Sequence, residues 1–143
     1  LKQSIFIEIY LYDKNKKLKP KDEAVHNYPY CFMDPDKRYE WLGHMFIGKI
    51  PDKPYYYVTG TSAKNGYGPM LYDKTIEIVS KLGCKLVSGS AEYYLRGKKR
   101  EVTSPAAQAV WNKYKDRQDV TKHDIGDDFF ALSKDPDQKY FYE

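Results

Sequence analysis

The segment Gly66-Tyr67-Gly68-Pro69 constrains the fold of this chain most, because it lies between a strand pattern and a helix pattern. The preceding run Tyr55-Tyr56-Tyr57-Val58 is typical of a strand. Residues 70–82 have the wide apolar face of a helix that packs against a sheet. Pro69 suits the first turn of that helix, where no N–H donor is needed. The pattern therefore predicts a strand that leads through a tight turn into a helix.

A helix that begins after such a turn forms a binding site for anions. Its first backbone N–H groups have no partner within the helix, and the helix dipole adds partial positive charge there. Gly66 and Gly68 have no Cβ, so a phosphate can approach the backbone closely. A tight turn without any ligand is the alternative explanation of the two glycines.

Length and composition restrict the class of protein. The 143 residues predict one domain, residues 1–143, because a chain of this size buries roughly two-thirds of its unfolded surface. The formal net charge of +4 permits a phosphate-bearing ligand but is weaker than the basic footprint of nucleic-acid-binding proteins. The two cysteines and three histidines lack the spacing of a metal site, so no metal is predicted.

The sequence also suggests where the protein resides. No apolar run is long enough to cross a membrane, and no signal peptide is visible at the start. Two cysteines without redox spacing are most simply reduced thiols. We therefore expect a cytoplasmic protein that does not associate with membranes.

The remaining patterns predict a mixed α/β domain with a mostly antiparallel sheet and helices packed on it. In addition to residues 55–60, strand patterns cover residues 4–12, 39–50, 84–88, 128–133 and 138–142. The last two are expected to form a hairpin around residues 134–137. Residues 13–21 are expected to form a lysine-rich turn, prolines interrupt residues 22–37, and residues 89–103 show no clear pattern. A second helix is predicted to begin at Ser104-Pro105, with serine as the N-cap.

This order of elements, together with Ala63-x-x-Gly66-x-Gly68, resembles the GNAT superfamily of N-acetyltransferases, especially its short phage-encoded members. The family motif is a Gln/Arg-x-x-Gly-x-Gly/Ala loop whose backbone amides hold the pyrophosphate of acetyl-CoA. Ala63 stands at the Gln/Arg position here, and Lys64 follows one place later. In the family, the cofactor enters where two neighbouring strands diverge. The resemblance rests on motifs over residues 55–117 and on element order elsewhere.

The resemblance implies an N-acyltransferase that transfers an acetyl group from acetyl-CoA to an amine. A backbone N–H near Tyr57 or Val58 would then stabilise the oxyanion at the thioester carbonyl. The loop and the helix start would hold the CoA. The predicted cofactor-binding residues are Tyr57, Val58, Thr61, Ser62, Lys64, Asn65, Gly66, Tyr67, Gly68 and Ser104.

The predicted catalytic residues lie on the second helix and on the strand at 39–50. The family pattern Asn-x-x-Ala-x-x-Leu-Tyr aligns Trp111 with the tyrosine that protonates the departing CoA thiolate. An indole N–H is not an acid near neutral pH, so Tyr114, on the same face one turn later, is the alternative acid. Glu40 is the predicted base for the acceptor amine, and His44 shares its strand face. A surface carboxylate and core aromatics are the structural alternatives.

Two other functions are compatible with the same residues. Tryptophan at the acid position, the absent Gln/Arg and the 15 tyrosines favour a non-catalytic protein with this fold, such as a phage virion component or a host-directed binding protein. Its partner would be a protein or another copy of the chain. Nucleic-acid binding through tyrosine stacking and the basic residues 98–100 is the third alternative, and the modest net charge disfavours it.

Overall fold

The computed structural model describes residues 5–17, 39–97 and 105–134. Predictions for Ser104 and for residues 22–37, 98–100 and 138–142 lie outside these ranges. The described residues form a single sheet with helices packed on it. The elements are β1 (Phe6–Lys17), β2 (Tyr39–Lys49), β3 (Tyr55–Ala63), α1 (Gly68–Lys81), β4 (Lys85–Val87), α2 (Gly89–Leu95), α3 (Pro105–Tyr114), β5 (Thr121–Gly126) and β6 (Phe129–Ser133).

The sheet has the strand order β1-β2-β3-β4-β6-β5. All neighbouring strands are antiparallel except β3 and β4, which run parallel. A parallel pair needs a crossover connection, and α1 supplies it. The prediction of a mixed, mostly antiparallel sheet with packed helices is therefore confirmed.

Each face of the sheet has its own apolar core, because successive side chains of a strand point to opposite faces. On one face, Tyr56 of β3 and Leu86 of β4 pack with Leu71 and Ile76 of α1. On the other face, Val87 belongs to a cluster of buried residues completed by Ile50, Ala91, Phe129 and Ala131. None of the helices in the described ranges is long and apolar enough to cross a membrane.

Two strands extend further than the sequence pattern predicted. The lysine-rich turn expected from residue 13 is wrong over its described part, because β1 continues to Lys17, which pairs with Tyr39 of β2. Likewise β3 continues past Gly60 to Ala63, which pairs with Gly43. In both cases backbone hydrogen bonds to β2 extend the strand through residues whose own preference for strands is weak.

The pattern also missed one helix and one strand. α2 lies in the stretch that showed no clear pattern, and it begins where the Ser88 hydroxyl accepts a hydrogen bond from the Ala91 N–H at 3.1 Å. The missed strand is β5. It forms a hairpin with β6, which the sequence had predicted. Asp127 and Asp128 form that turn with φ of 50° and 62°, which suits a two-residue hairpin.

Candidate functional site

β3 and β4 pair over only three residues. Tyr55 pairs with Lys85, and the last pair joins Tyr57 to Val87. β4 then ends and the chain enters α2, whereas β3 continues to Ala63. From residue 59 to residue 63, β2 is the one strand of the described ranges that pairs with β3. The opposite edge of β3 thus has backbone groups in position to bind an extended ligand.

A β-bulge at Thr59 marks the point where β3 leaves β4. Phe46 of β2 pairs with Gly60 and the next residue, Ile47, pairs with Val58, so Thr59 is the extra residue. Its hydroxyl donates to the Phe46 carbonyl oxygen at 3.1 Å. A bulge bends the strand and increases its twist, so the direction of β3 changes just beyond the end of β4. No sequence motif had indicated this bulge.

α2 packs against the edge of β3 directly beyond the last pair with β4. A methyl group added at Gly89 would lie 3.0 Å from the Val58 carbonyl oxygen. The backbone at the start of α2 therefore packs closely on β3 at Val58, which follows the last residue paired with β4. The Ser88-Gly89 dipeptide was the available sequence signal, as an N-cap followed by a residue without a side chain.

At its other end, β3 leads through a single tight turn into α1. The Tyr67 N–H donates to the Lys64 carbonyl oxygen at 3.0 Å, and Gly66 has a φ of 90°. These values fit a type II turn, which needs a positive φ at its third residue. α1 begins directly afterwards at Gly68, with Tyr67 as N-cap. The predicted strand–turn–helix arrangement is thus present.

The N-terminus of α1 has the properties of an anion site. No side chain caps it, and its first turn contains no acidic residue that would offset the helix dipole. A Cβ added at Gly66 or at Gly68 would meet nothing within 4 Å. A phosphate can therefore approach the backbone N–H groups there. Lys64 and Asn65 are exposed beside it.

Thr61 and Ser62 lie on β3 itself rather than in the turn. The Thr61 hydroxyl donates to the His44 carbonyl oxygen at 3.2 Å, and Ser62 is exposed opposite His44 in the sheet. The structure thus arranges the predicted residues from Tyr57 to Gly68 along one continuous path. That path follows the edge of β3 and ends at the start of α1.

Tyr114 is buried and committed to another side chain. Its hydroxyl donates to Asp73 Oδ1 at 2.6 Å. Burial raises the pKa of Tyr114 far above its ordinary value, and the hydrogen bond and charge of Asp73 raise it further. The phenol therefore holds its proton at neutral pH.

Trp111 is half-buried on the same helix and packs edge-to-face on Tyr72 of α1, with ring centroids 6.3 Å apart. Together with Ser88 it lines a cavity beneath α3. Both residues that were predicted as the acid therefore contact α1 beyond its first turn, Trp111 at Tyr72 and Tyr114 at Asp73.

His44 lies on β2 and faces the same side of the sheet as Gly60 and Ser62. It is buried, with 8% of its surface exposed, and stacks on Phe46 at 4.7 Å between centroids. Burial lowers the pKa of His44, which keeps the imidazole neutral near pH 7. Glu40 is also on β2, near its start, and its side chain lies outside the described part.

In the described ranges, no three His, Cys, Asp or Glu side chains are grouped so that they could hold a metal ion. Comparison of the chain with protein-family models, with curated proteins and with solved structures found no match. The candidate site therefore rests on its own geometry. That geometry consists of an open strand edge, a tight turn and an uncapped helix N-terminus.

Proposed function

We propose that this chain binds an acyl-CoA, in the simplest case acetyl-CoA, and transfers the acyl group to an amine. The observation that carries the proposal is the edge of β3, which continues beyond the end of β4 and leads to the N-terminus of α1. The strand order, in which β3 and β4 are the one parallel pair of the described sheet, also agrees with the resemblance to the GNAT superfamily.

The CoA would lie along the path from β3 to α1. Residues 59–63 of β3 provide roughly 16 Å of extended backbone, to which the amide groups of the pantetheine arm hydrogen-bond as an added strand would. The pyrophosphate then binds at the N–H groups of the turn and of Gly68. Lys64 adds a positive charge next to this site.

The chemical step requires little acid catalysis. The amine nitrogen attacks the thioester carbonyl carbon, the C–N bond forms and the C–S bond breaks. Backbone N–H groups of the β3 edge stabilise the oxyanion between these events. The sulfur leaves as a thiolate, which water protonates, because a thiol with a pKa of about 8.5 is already a good leaving group. The proposal therefore gives no acid role to Tyr114 or to Trp111. Glu40 lies on β2 beyond Gly43, the partner of Ala63, and so belongs to the phosphate end of the path. The proton of the attacking amine therefore passes to solvent, because a base has to lie within hydrogen-bond reach of the amine.

The second candidate function is binding without transfer, by a protein that carries this fold as a structural or host-directed component. The specific observation that favours it is the hydrogen bond from Tyr114 to Asp73, because it commits the hydroxyl of the tyrosine that was predicted as the alternative acid. Ile5 and Phe6, at the start of edge strand β1, are 70% and 66% exposed and offer an apolar contact surface.

Calorimetric titration with acetyl-CoA, followed by an assay of thiol release with a panel of amines, separates the two functions. Acyl transfer requires saturable binding and thiol release that depends on the added amine. Binding without release supports the second function. Ligand at about 100 times its dissociation constant should stabilise the fold by roughly 2.7 kcal/mol. Absence of both binding and thermal stabilisation would reject the acyltransferase.

A further inference from the structure

A small cavity lies between α3, the β5–β6 hairpin and the end of β4. Its volume is about 130 Å³. Its apolar wall consists of Trp111 and Tyr114 from α3 together with Phe130 and Leu132 from β6. The polar side chains of Ser88 and Gln108 also line it. The cavity is thus a partly enclosed aromatic site and does not include the turn at the start of α1.

The size of the cavity limits the group that it can hold. An apolar cavity of about 150 Å³ in another protein accommodates benzene. A space of 130 Å³ therefore suits an arm of about six heavy atoms. Tyr114 keeps its hydroxyl on Asp73, so its ring contributes contact area to such a ligand rather than a hydrogen bond.

Among the described residues that line the cavity, Asp128 is the one carboxylate. It is exposed and lies in the β5–β6 turn. Trp111 lines the same cavity, and the face of an indole attracts organic cations more strongly than that of the other aromatic side chains. A carboxylate beside aromatic rings is the arrangement that recognises ammonium groups.

Two lysines also line the cavity, and their surroundings weaken their attraction for an anion. The Lys122 ammonium donates to the carbonyl oxygens of Lys115 and Arg117, which follow the end of α3. The negative end of the helix dipole offsets its charge there. Lys115 is exposed, as Asp128 is, so water screens both charges alike, and the aromatic wall favours the cation.

We propose that this cavity binds a small organic amine in its protonated form, with an aromatic or branched aliphatic arm. The arm occupies the space between Trp111 and Phe130. The ammonium group lies at the rim and forms an ion pair with Asp128. Binding of the amine requires no acyl-CoA, and so it stands independently of the proposed transfer.

The test is a calorimetric titration of the full chain, without acetyl-CoA, with benzylamine, benzyl alcohol and benzoate as probes. Benzylamine should bind more tightly than the alcohol, and benzoate should bind most weakly. Asp128→Asn should weaken benzylamine binding by about two- to fivefold, in keeping with the strength of an ion pair that is exposed to solvent. Asparagine tolerates the positive φ at this position, so the variant should retain its fold, which thermal unfolding checks.

Asp127→Asn provides the matched control, because Asp127 occupies the same turn with a similar φ and does not line the cavity. It should leave benzylamine affinity unchanged. Trp111→Leu should weaken the binding of both benzylamine and benzyl alcohol. Tighter binding of benzoate than of benzylamine, equal losses in the two aspartate variants, or no binding of any probe would overturn the proposal.

Discussion

The Tyr114 hydroxyl donates to the Asp73 carboxylate at 2.6 Å and so joins two residues that are 41 positions apart. Arg117 donates to the same oxygen at 2.7 Å and also binds Asp119. Asp73 is buried on α1, where an unpaired carboxylate would be costly. Arg117 compensates its negative charge, and Tyr114 donates a further hydrogen bond to the carboxylate. The relationship fixes α3 against α1 and explains why a tyrosine one turn after Trp111 need not be catalytic.

Tyr114→Phe should lower the free energy of unfolding by about 1–3 kcal/mol, because the buried Asp73 carboxylate loses a donor. Acyl transfer should stay within about twofold of wild type, since the proposed mechanism takes no proton from Tyr114. Urea denaturation and the thiol-release assay measure the two effects. Tyr12→Phe, at a residue that is 44% exposed, is the control and should change stability by less than about 0.5 kcal/mol. A large loss of turnover in a stable Tyr114→Phe variant would show that Tyr114 is the acid that protonates the CoA thiolate.

Gly66→Ala and Gly68→Ala should separate stability from CoA binding. Gly66 has a φ of 90°, so alanine there should cost about 1–2 kcal/mol of stability. Gly68 has no positive φ and open space around its Cβ position. Alanine at Gly68 should therefore leave the free energy of unfolding nearly unchanged. Its methyl group would nevertheless occupy the space in which a phosphate approaches the helix N-terminus.

Acetyl-CoA affinity is the discriminating measurement for Gly68→Ala. We expect a dissociation constant raised by about tenfold, corresponding to roughly 1.4 kcal/mol of lost contacts with backbone N–H groups. Gly83→Ala is a suitable control for the general cost of a positive φ, because Gly83 follows α1 at a φ of 75°. That variant should lose stability and keep its CoA affinity. Unchanged affinity in Gly68→Ala would place the anion elsewhere.

Gly89→Ala should destabilise the protein, although Gly89 and Gly68 both occupy the first position of a helix. The new methyl group would lie 3.0 Å from the Val58 carbonyl oxygen, and two packed backbones cannot easily separate. We expect a loss of about 1–3 kcal/mol, measured by urea denaturation. Gly68→Ala is the matched control without crowding. Equal stabilities of the two variants would show that α2 does not pack closely on β3.

The sequence predicted those features of the fold that arise from local pattern. The strand before Gly66, the turn and α1 follow from apolar periodicity and from the need for a residue without Cβ. The paths of β1 beyond Tyr12 and of β3 beyond Gly60 depend on hydrogen bonds to β2. Such pairings join residues far apart in the chain and leave no local signal.

The candidate site was predictable to a similar extent. The turn and the helix start were visible as Gly66-x-Gly68. The bulge at Thr59 was not, because threonine at this position is also an ordinary strand residue and only the register with β2 reveals it. The partner of Tyr114 was not predictable either, since Asp73 belongs to another helix and its burial results from tertiary packing.

His44 should make stability depend on pH near neutrality. Burial lowers the pKa of His44 below its ordinary value of 6.5, so the unfolded chain takes up a proton at a higher pH than the folded protein does. Stability is therefore fully present above about pH 6.5 and declines as the pH falls towards the lowered pKa. For one such group the slope cannot exceed about 1.4 kcal/mol per pH unit.

His44→Gln removes this titration and should flatten the free energy of unfolding between about pH 6.5 and the lowered pKa, relative to wild type. Urea denaturation at half-unit pH intervals measures the difference in slope. Asp119 gives a second, separate decline at more acidic pH, because its hydrogen bonds from Arg117 lower the pKa of that carboxyl. Asp119→Asn should remove that decline and leave the His44 slope intact. Identical slopes for wild type and His44→Gln near neutrality would show that the imidazole is not held neutral by burial.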